Sequence, residues 1–192
     1  KMTERPGTPA QFDIWTIDLT RANASSRLTD DPAWEFDPSW SPDGRVVFNS
    51  NRPDPQRSRF RLFVRAADGS GHDEPLPIEG AVSPDWSRDG RFIVYNYVQP
   101  GSGPLNTDLM TFDLKGDGKP RPFVTTQYAE SNGAFSPNGK WIAYHSTDSG
   151  RSEVYVRPFP AGPGVIQISR DGGWGPRWRG DGKEIFFLAN DG

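Results

Sequence analysis

The sequence predicts an all-β protein built from repeated four-stranded antiparallel sheets. Two observations support this prediction: Gly and Pro are frequent, and one turn motif recurs four times. The 21 Gly and 19 Pro among 192 residues interrupt the chain too often for long helices. Short strands joined by turns suit such a chain. Seven Trp and twelve Phe supply the apolar area that a core requires.

The recurring turn motif reads WSPDG, WSRDG, FSPNG and WRGDG, and it ends at Gly44, Gly90, Gly139 and Gly182. Asp or Asn in such a turn bonds a nearby backbone N–H, and Gly adopts the left-handed conformation that reverses the chain. We therefore interpret the Asp as a turn residue and not as a catalytic carboxylate. The aromatic residue before each turn is interpreted as packing between neighbouring units.

Each turn is followed by a short apolar run: RVVFNS, RFIVYNY, KWIAYHS or KEIFFLA. A further strand pattern keeps the same period and carries an aromatic or Met side chain at Trp15, Phe63, Met110 and Tyr155. A weaker fourth element follows each time. Four strands in a period of 43–49 residues, measured between the turn glycines, predict the blades of a β-propeller.

We expect residues 1–192 to form a single propeller domain or a fragment of one. If the strand before the turn is innermost, the chain holds three full blades, at about 36–80, 82–126 and 132–169. Two half-blades remain, at about 13–28 and 174–189. These halves are complementary. They either join as one closing blade within the chain or belong to a larger ring.

The runs DIWTIDL, SRLT and DPSWSPDGRVVFNSNR, with EVYVRPFP and PRWRGDGKEIFFLA further along, resemble the TolB-type propeller repeat. The resemblance is closest to repeats that follow the kinase domain of bacterial serine/threonine kinases. It implies a parent of about six to eight blades, located in the periplasm or at the cell surface. In that family the pattern continues beyond a segment like KEIFFLANDG, which favours a segment of a larger propeller.

Composition argues against several classes of function. The net charge of −3 and the pI of about 5.4 do not favour nucleic-acid binding. The absence of Cys excludes disulfides and Cys-ligated metal sites. No stretch approaches the roughly 20 apolar residues of a membrane span, so no direct membrane insertion is expected.

No catalytic motif is apparent in the sequence. There is no G-x-S-x-G nucleophile elbow, no Gly-rich phosphate loop and no kinase catalytic motif. His72 and His145 fall in different predicted blades, so a zinc site is not expected. The sequence therefore predicts no catalytic residues, no metal, no cofactor and no enzymatic activity for this segment.

Polar residues at the start of the predicted innermost strands are the candidate binding residues. Since these strands lie nearest the propeller axis, their first residues are expected to converge at one mouth of the channel. Converging acids would hold a cation or a basic side chain, or would only line a wet channel and cap the strands. The candidates are Glu35, Asp37, Ser83, Asp85, Glu130, Asn132 and Arg177.

Four aromatic residues in the same loops are not required by the blade pattern: Trp34, Phe36, Tyr128 and Trp174. Aromatic side chains at a loop rim either anchor a protein or peptide partner or pack within the loop. The sequence thus predicts a non-catalytic, sensor-type scaffold that binds protein or peptide. One alternative is an accessory propeller of a peptidase or kinase whose catalytic domain lies elsewhere. The other is a structural assembly module that self-associates through open blade edges.

Overall fold

The computed structural model describes residues 12–21, 24–52, 59–101 and 106–189. Throughout these residues the regular elements are β-strands, and each sheet is antiparallel. An amino-terminal half-blade consists of β1 (Trp15–Asp18) and β2 (Ala24–Arg27). A carboxy-terminal half-blade consists of β15 (Trp174–Trp178) and β16 (Ile185–Leu188).

Three complete four-stranded blades lie between the half-blades. Blade 1 contains β3 (Glu35–Trp40), β4 (Arg45–Ser50), β5 (Arg61–Ala66) and β6 (Glu74–Glu79). Blade 2 contains β7 (Ala81–Trp86), β8 (Phe92–Val98), β9 (Thr107–Asp113) and β10 (Pro120–Val124). Blade 3 contains β11 (Glu130–Phe135), β12 (Trp141–Ser146), β13 (Glu153–Pro158) and β14 (Ile166–Gln167).

The predicted fold class is confirmed: the chain is a partial β-propeller with three full blades and two half-blades. The first strands of successive blades contact one another, with β3 beside β7, β7 beside β11 and β11 beside β15. The two half-blades form separate sheets, and within the described ranges no pairing joins them. The ring is therefore open.

The hydrophobic core lies between the blades. Val47 and Leu62 of blade 1 are fully buried against Trp86 and Tyr95 of blade 2. A second cluster joins blades 2 and 3, and a third joins the amino-terminal half-blade to blade 1. Each blade thus buries its face against the next one, which explains why a repeat with a modest apolar content forms a stable stack.

The recurring turn is held by its own side chains. In blade 1 the Ser41 hydroxyl accepts the Arg45 amide hydrogen bond at 2.8 Å and donates to Asp43, and Asp43 also accepts from the Arg45 guanidinium. These two partners lower the pKa of Asp43 to about 2, with Arg45 contributing most. In blade 3, Asn138 accepts the corresponding serine hydroxyl at 2.8 Å. The interpretation of the motif Asp as a turn residue agrees with this geometry.

Gly44→Val is expected to lower the free energy of unfolding by about 1–2 kcal/mol, because Gly44 has a φ of 82° that a β-branched residue tolerates poorly. No atom lies within 4 Å of an added Cβ, so the loss would come from the backbone conformation alone. Asp43→Asn should cost less, since Asn138 occupies that place in blade 3. Chemical denaturation would measure both, and equal losses would contradict the assignment.

Candidate functional site

A β-bulge recurs in the first strand of each full blade and of the carboxy-terminal half-blade. The pairing register between the first and second strands shifts at one point in each, for example between Phe36 and Ser39. The first of the two residues inside each shift has a positive φ. These residues are Asp37 (51°), Ser83 (50°), Asn132 (56°) and Gly175 (62°). In a regular strand, side chains alternate between the two faces of the sheet. A bulge interrupts this alternation, and here it determines which side chains of the first strands face the channel.

Five of the seven candidate residues line one cavity of about 150 Å³ at the bulges: Asp37, Ser83, Asp85, Asn132 and Arg177. The Ser83 hydroxyl donates a 3.0 Å hydrogen bond to Asp37 from the neighbouring blade. Two carboxylates, a guanidinium and an amide therefore share a space suited to one small charged group. We name this cavity the channel mouth.

Asp85 joins three blades at the channel mouth. Its carboxylate accepts the Ser39 hydroxyl of blade 1 at 3.3 Å and the Phe135 amide of blade 3 at 2.8 Å. Burial raises the pKa of Asp85, although the Phe135 amide, the positive charge of Arg177 and the Ser39 hydroxyl each act to lower it. Asp37 is exposed in the same cavity.

The sequence also predicted Glu35 and Glu130 at the mouth of the channel, and this part of the prediction is wrong. Neither residue lines the cavity, and both side chains are almost completely buried. Burial raises the pKa of both carboxyl groups. Glu130 accepts hydrogen bonds from the hydroxyl and the amide of Thr126. Each residue lies two positions before its bulge residue, on the side of the strand that faces the protein interior.

Glu35 belongs to an ionic cluster that the sequence did not indicate. Arg52, which follows β4, contacts Glu35 and lies 2.5 Å from Asp73. Its guanidinium also packs 4.5 Å from the centre of the Phe63 ring. The cluster links three separate segments of the chain through one half-buried cation, so we assign it a structural role.

Two polar side chains on second strands each accept a hydrogen bond from the bulge of the next blade. The Asn96 side-chain oxygen accepts the Asn132 amide at 2.9 Å, and Nδ1 of His145 accepts the Gly175 amide at 3.5 Å. Asn49 occupies the corresponding place in blade 1. Asn49, Asn96 and His145 each pair with the residue directly before the bulge of their own blade. Burial lowers the pKa of His145 to about 4.

Two of the four rim aromatics lie together. Trp34 and Phe36 form an aromatic row with Phe12 and Phe60, and neighbouring ring centres are 4.9–6.5 Å apart. Tyr128 and Trp174 are not part of this row; Trp174 is exposed on the carboxy-terminal half-blade.

The aromatic row leads into a cleft of about 600 Å³ between blades 1 and 2. Backbone hydrogen bonds from Gly80 to Phe60 and from Val98 to Gly80, both 2.8 Å, connect its walls. We call it the blade 1–2 cleft. It is lined by Arg59, Phe60, Glu79, Gly80, Val82, Tyr97, Val98, Gln99, Pro100 and Gly101. Its residues come from two blades, so the sequence pattern did not reveal it. The available signals were Tyr97, near the end of β8, and Phe60, directly before β5.

Within the described ranges, no group of three His, Cys, Asp or Glu side chains is placed to hold a metal ion. The same residues include no helix with the length and hydrophobicity that crossing a membrane requires.

Solved structures provide the comparison, since no family model and no curated protein matches the chain. TolB from Acinetobacter baumannii superimposes with a TM-score of 0.72 at 17% identity, over 88% of this chain and 41% of that one. The chain thus spans less than half of that protein. The fold is that of a TolB-like β-propeller.

Two further solved structures are similar to this chain. A chain of the nidogen/laminin complex gives a TM-score of 0.68 at 11% identity, covering 92% of this chain and 66% of that one. The β-propeller domain of the Trilobed protease from Pyrococcus furiosus, described as having an open velcro topology, gives 0.57 at 12% identity, covering 73% and 45%. At these identities the similarity establishes the fold of the chain and leaves its activity to be proposed.

Proposed function

We propose that this propeller is a non-catalytic binding module that takes a protein or peptide segment in the blade 1–2 cleft. The observation that carries the proposal is the cleft itself. At about 600 Å³ it has the volume of a ligand site, and Phe60 and Tyr97 supply the aromatic walls that anchor peptide side chains.

The charges around the cleft indicate which segment would fit. Arg59 and Glu79 place one charge of each sign at its rim. Val82 lines the cleft and the next residue along β7, Ser83, lines the channel mouth. We therefore expect a segment with an apolar or aromatic side chain in the cleft and a Lys or Arg side chain directed to the exposed Asp37.

The comparisons support a binding role in general terms, because one similar propeller comes from the nidogen/laminin complex. A location outside the cytoplasm stays a prediction, as does the relation to kinase-associated repeats. The assignment of Asp37, Ser83, Asp85, Asn132 and Arg177 to ligand binding is part of the proposal.

Selection of a random phage-displayed peptide library on the purified protein tests the proposal. Enriched peptides should bind the wild type and lose at least about tenfold in affinity, or about 1.4 kcal/mol, with Phe60→Ala or Tyr97→Ala. Asp37→Asn should weaken only the peptides that carry a basic residue. Lys115→Ala, in the turn after β9, is the control and should bind as the wild type does. Failure to enrich any peptide, or equal binding by all variants whose circular dichroism matches the wild type, would refute the proposal.

A second candidate function, an accessory propeller of a peptidase, is favoured by the similarity to the Trilobed protease domain. The cleft would then hold a substrate segment for a catalytic domain outside this chain. A peptide that binds the chain and is cleaved by the parent protein, with loss of both properties in Phe60→Ala, would support this function. Binding without cleavage would favour the simple binding module.

A further inference from the structure

The two walls of the blade 1–2 cleft differ in charge. Among the described residues that line the cleft, the charged ones are Arg59 and Glu79, and both belong to blade 1. Arg61 lies directly opposite Glu79 in the pairing of β5 with β6, so these two side chains are on the same face of blade 1. The residues that line the cleft from blade 2 are uncharged, and Tyr97 is the aromatic one among them.

The charged wall has an excess of positive charge. Glu79 contacts the guanidinium group of Arg61 and lies 3.8 Å from that of Arg59, so one carboxylate faces two cations. Between 37% and 64% of each of these side chains is exposed, so an incoming group can reach them. The wall therefore complements one negatively charged group, and a guanidinium group binds a carboxylate through two parallel hydrogen bonds.

The backbone of the cleft favours a side-chain carboxylate over a chain terminus. Terminal carboxylates are captured by unused backbone amides. In the cleft, the Gly80 amide donates to the Phe60 carbonyl and the Val98 amide donates to the Gly80 carbonyl, both at 2.8 Å. Because these two amides are occupied, we expect the guanidinium groups of Arg59 and Arg61 to bind the carboxylate of an Asp or Glu side chain.

Gly80 lies between the two aromatic residues of the cleft. Its amide is bonded to Phe60 on one side, and on the other side an added Cβ would lie 3.2 Å from Cε2 of Tyr97. The same Cβ would lie 3.0 Å from the Val98 carbonyl oxygen. Any larger residue would therefore displace the Tyr97 ring, and the φ of 70° at this position also favours glycine.

We propose that the blade 1–2 cleft selects a segment in which an aromatic residue adjoins an Asp or Glu, and that Gly80 determines the aromatic selectivity. The inference rests on the proposed function and specifies the chemistry of the bound peptide. The aromatic side chain lies between Phe60 and Tyr97, while the acidic side chain pairs with Arg59 and Arg61. Aromatic pairs are more stable than their buried area alone provides, so an aromatic residue binds more tightly than an aliphatic one.

A focused phage-displayed library tests the proposal. Each peptide has one central position, occupied by Phe, Tyr, Leu or Val, between neighbours that are Glu, Gln or Lys. Sequencing after selection on the wild type should show Phe and Tyr enriched about three- to tenfold over Leu and Val, and Glu enriched over Gln. Gly80→Ala should lose the aromatic preference, because the added methyl group displaces the Tyr97 ring.

Gly101→Ala is the matched control and should retain the aromatic preference. Gly101 lines the same cleft and has a φ of 83°, but no described atom lies within 4 Å of a Cβ added there. Both variants thus carry similar backbone strain, and only Gly80→Ala displaces Tyr97. If circular dichroism shows that Gly80→Ala does not fold, Gly80→Asn and Gly101→Asn repeat the comparison with a residue that tolerates a positive φ.

Two further variants test the charged wall. Glu79→Gln should raise the enrichment of Glu over Gln about threefold, and Arg61→Gln should lower it by a similar factor. If the wild type enriches no peptide from this library or from the random one, the proposed function and this inference both fail. Enrichment without an aromatic or acidic preference, or equal loss of the aromatic preference in the Gly80 and Gly101 variants, would overturn the inference alone.

Discussion

Replacing His145 by Asn is expected to make the unfolding free energy fall less steeply as the pH falls from about 6.5 to 4. Burial holds the pKa of His145 at about 4 in the folded protein, against 6.5 for an ordinary histidine. In this window the unfolded chain binds a proton that the folded chain does not, so the stability of the wild type falls as the pH falls. The full loss amounts to about 3 kcal/mol.

Asn is the appropriate replacement because Asn49 and Asn96 occupy the same register position in blades 1 and 2, and the Asn96 side chain accepts the bulge amide of the next blade. The variant should therefore keep the contact with Gly175 and lose only the titration. Urea denaturation at a series of pH values measures the free energy of unfolding of both proteins. The contributions of the carboxyl groups that they share cancel in the difference between the two values. His72→Asn, in an exposed loop, is the control and should reproduce the wild-type profile. A constant offset between the His145→Asn and wild-type profiles would contradict the assignment.

Arg52→Met is expected to destabilise the propeller by about 3–5 kcal/mol. Arg52 is the cation between Glu35, whose side chain is inaccessible to solvent, and Asp73, which is 11% exposed. Met preserves contact with the Phe63 ring but leaves a buried carboxylate without its counterion, and such a charge costs far more than the ion pair itself contributes.

The double variant Arg52→Met/Glu35→Gln separates charge from packing. Removing the uncompensated charge should restore a large part of the stability that Arg52→Met loses, as measured by thermal or urea denaturation. The control is Arg121→Met, which breaks an exposed ion pair with Asp117 and should cost at most about 1 kcal/mol. If the Arg52 and Arg121 variants lose equal stability, the ionic cluster has no structural role.

The repeat architecture could be predicted from the sequence because it is determined locally. Each SPDG-type turn fixes its own conformation through Ser41, Asp43 and Gly44 or their equivalents, and the apolar runs on either side have the length and spacing of strands. Neither feature depends on distant residues. The number of full blades and half-blades, and the structural role of the turn Asp, followed from these local signals.

The sequence predicted only in part which of the candidate side chains reach the cavity. Strict alternation along β3 would place Glu35 and Asp37 on the same side, and the sequence assigned both to the channel mouth. The bulge at Asp37 breaks the alternation, so Glu35 is buried beside Arg52 while Asp37 reaches the cavity. A positive φ at a non-glycine residue is stabilised by pairing with the neighbouring strand and blade, and no short sequence pattern encodes it.

The sequence by itself determined the blade repeat, the turn chemistry and the complementary half-blades, since these depend on residues near one another in the chain. Only the tertiary structure decided which polar residues meet and which residues line the cleft. Phe60 and Tyr97 form one cleft because adjacent blades pack face to face, and Asp85 joins three blades because their first strands converge on the axis. Such contacts depend on the twist and packing of whole sheets, and those are properties of the assembled blades.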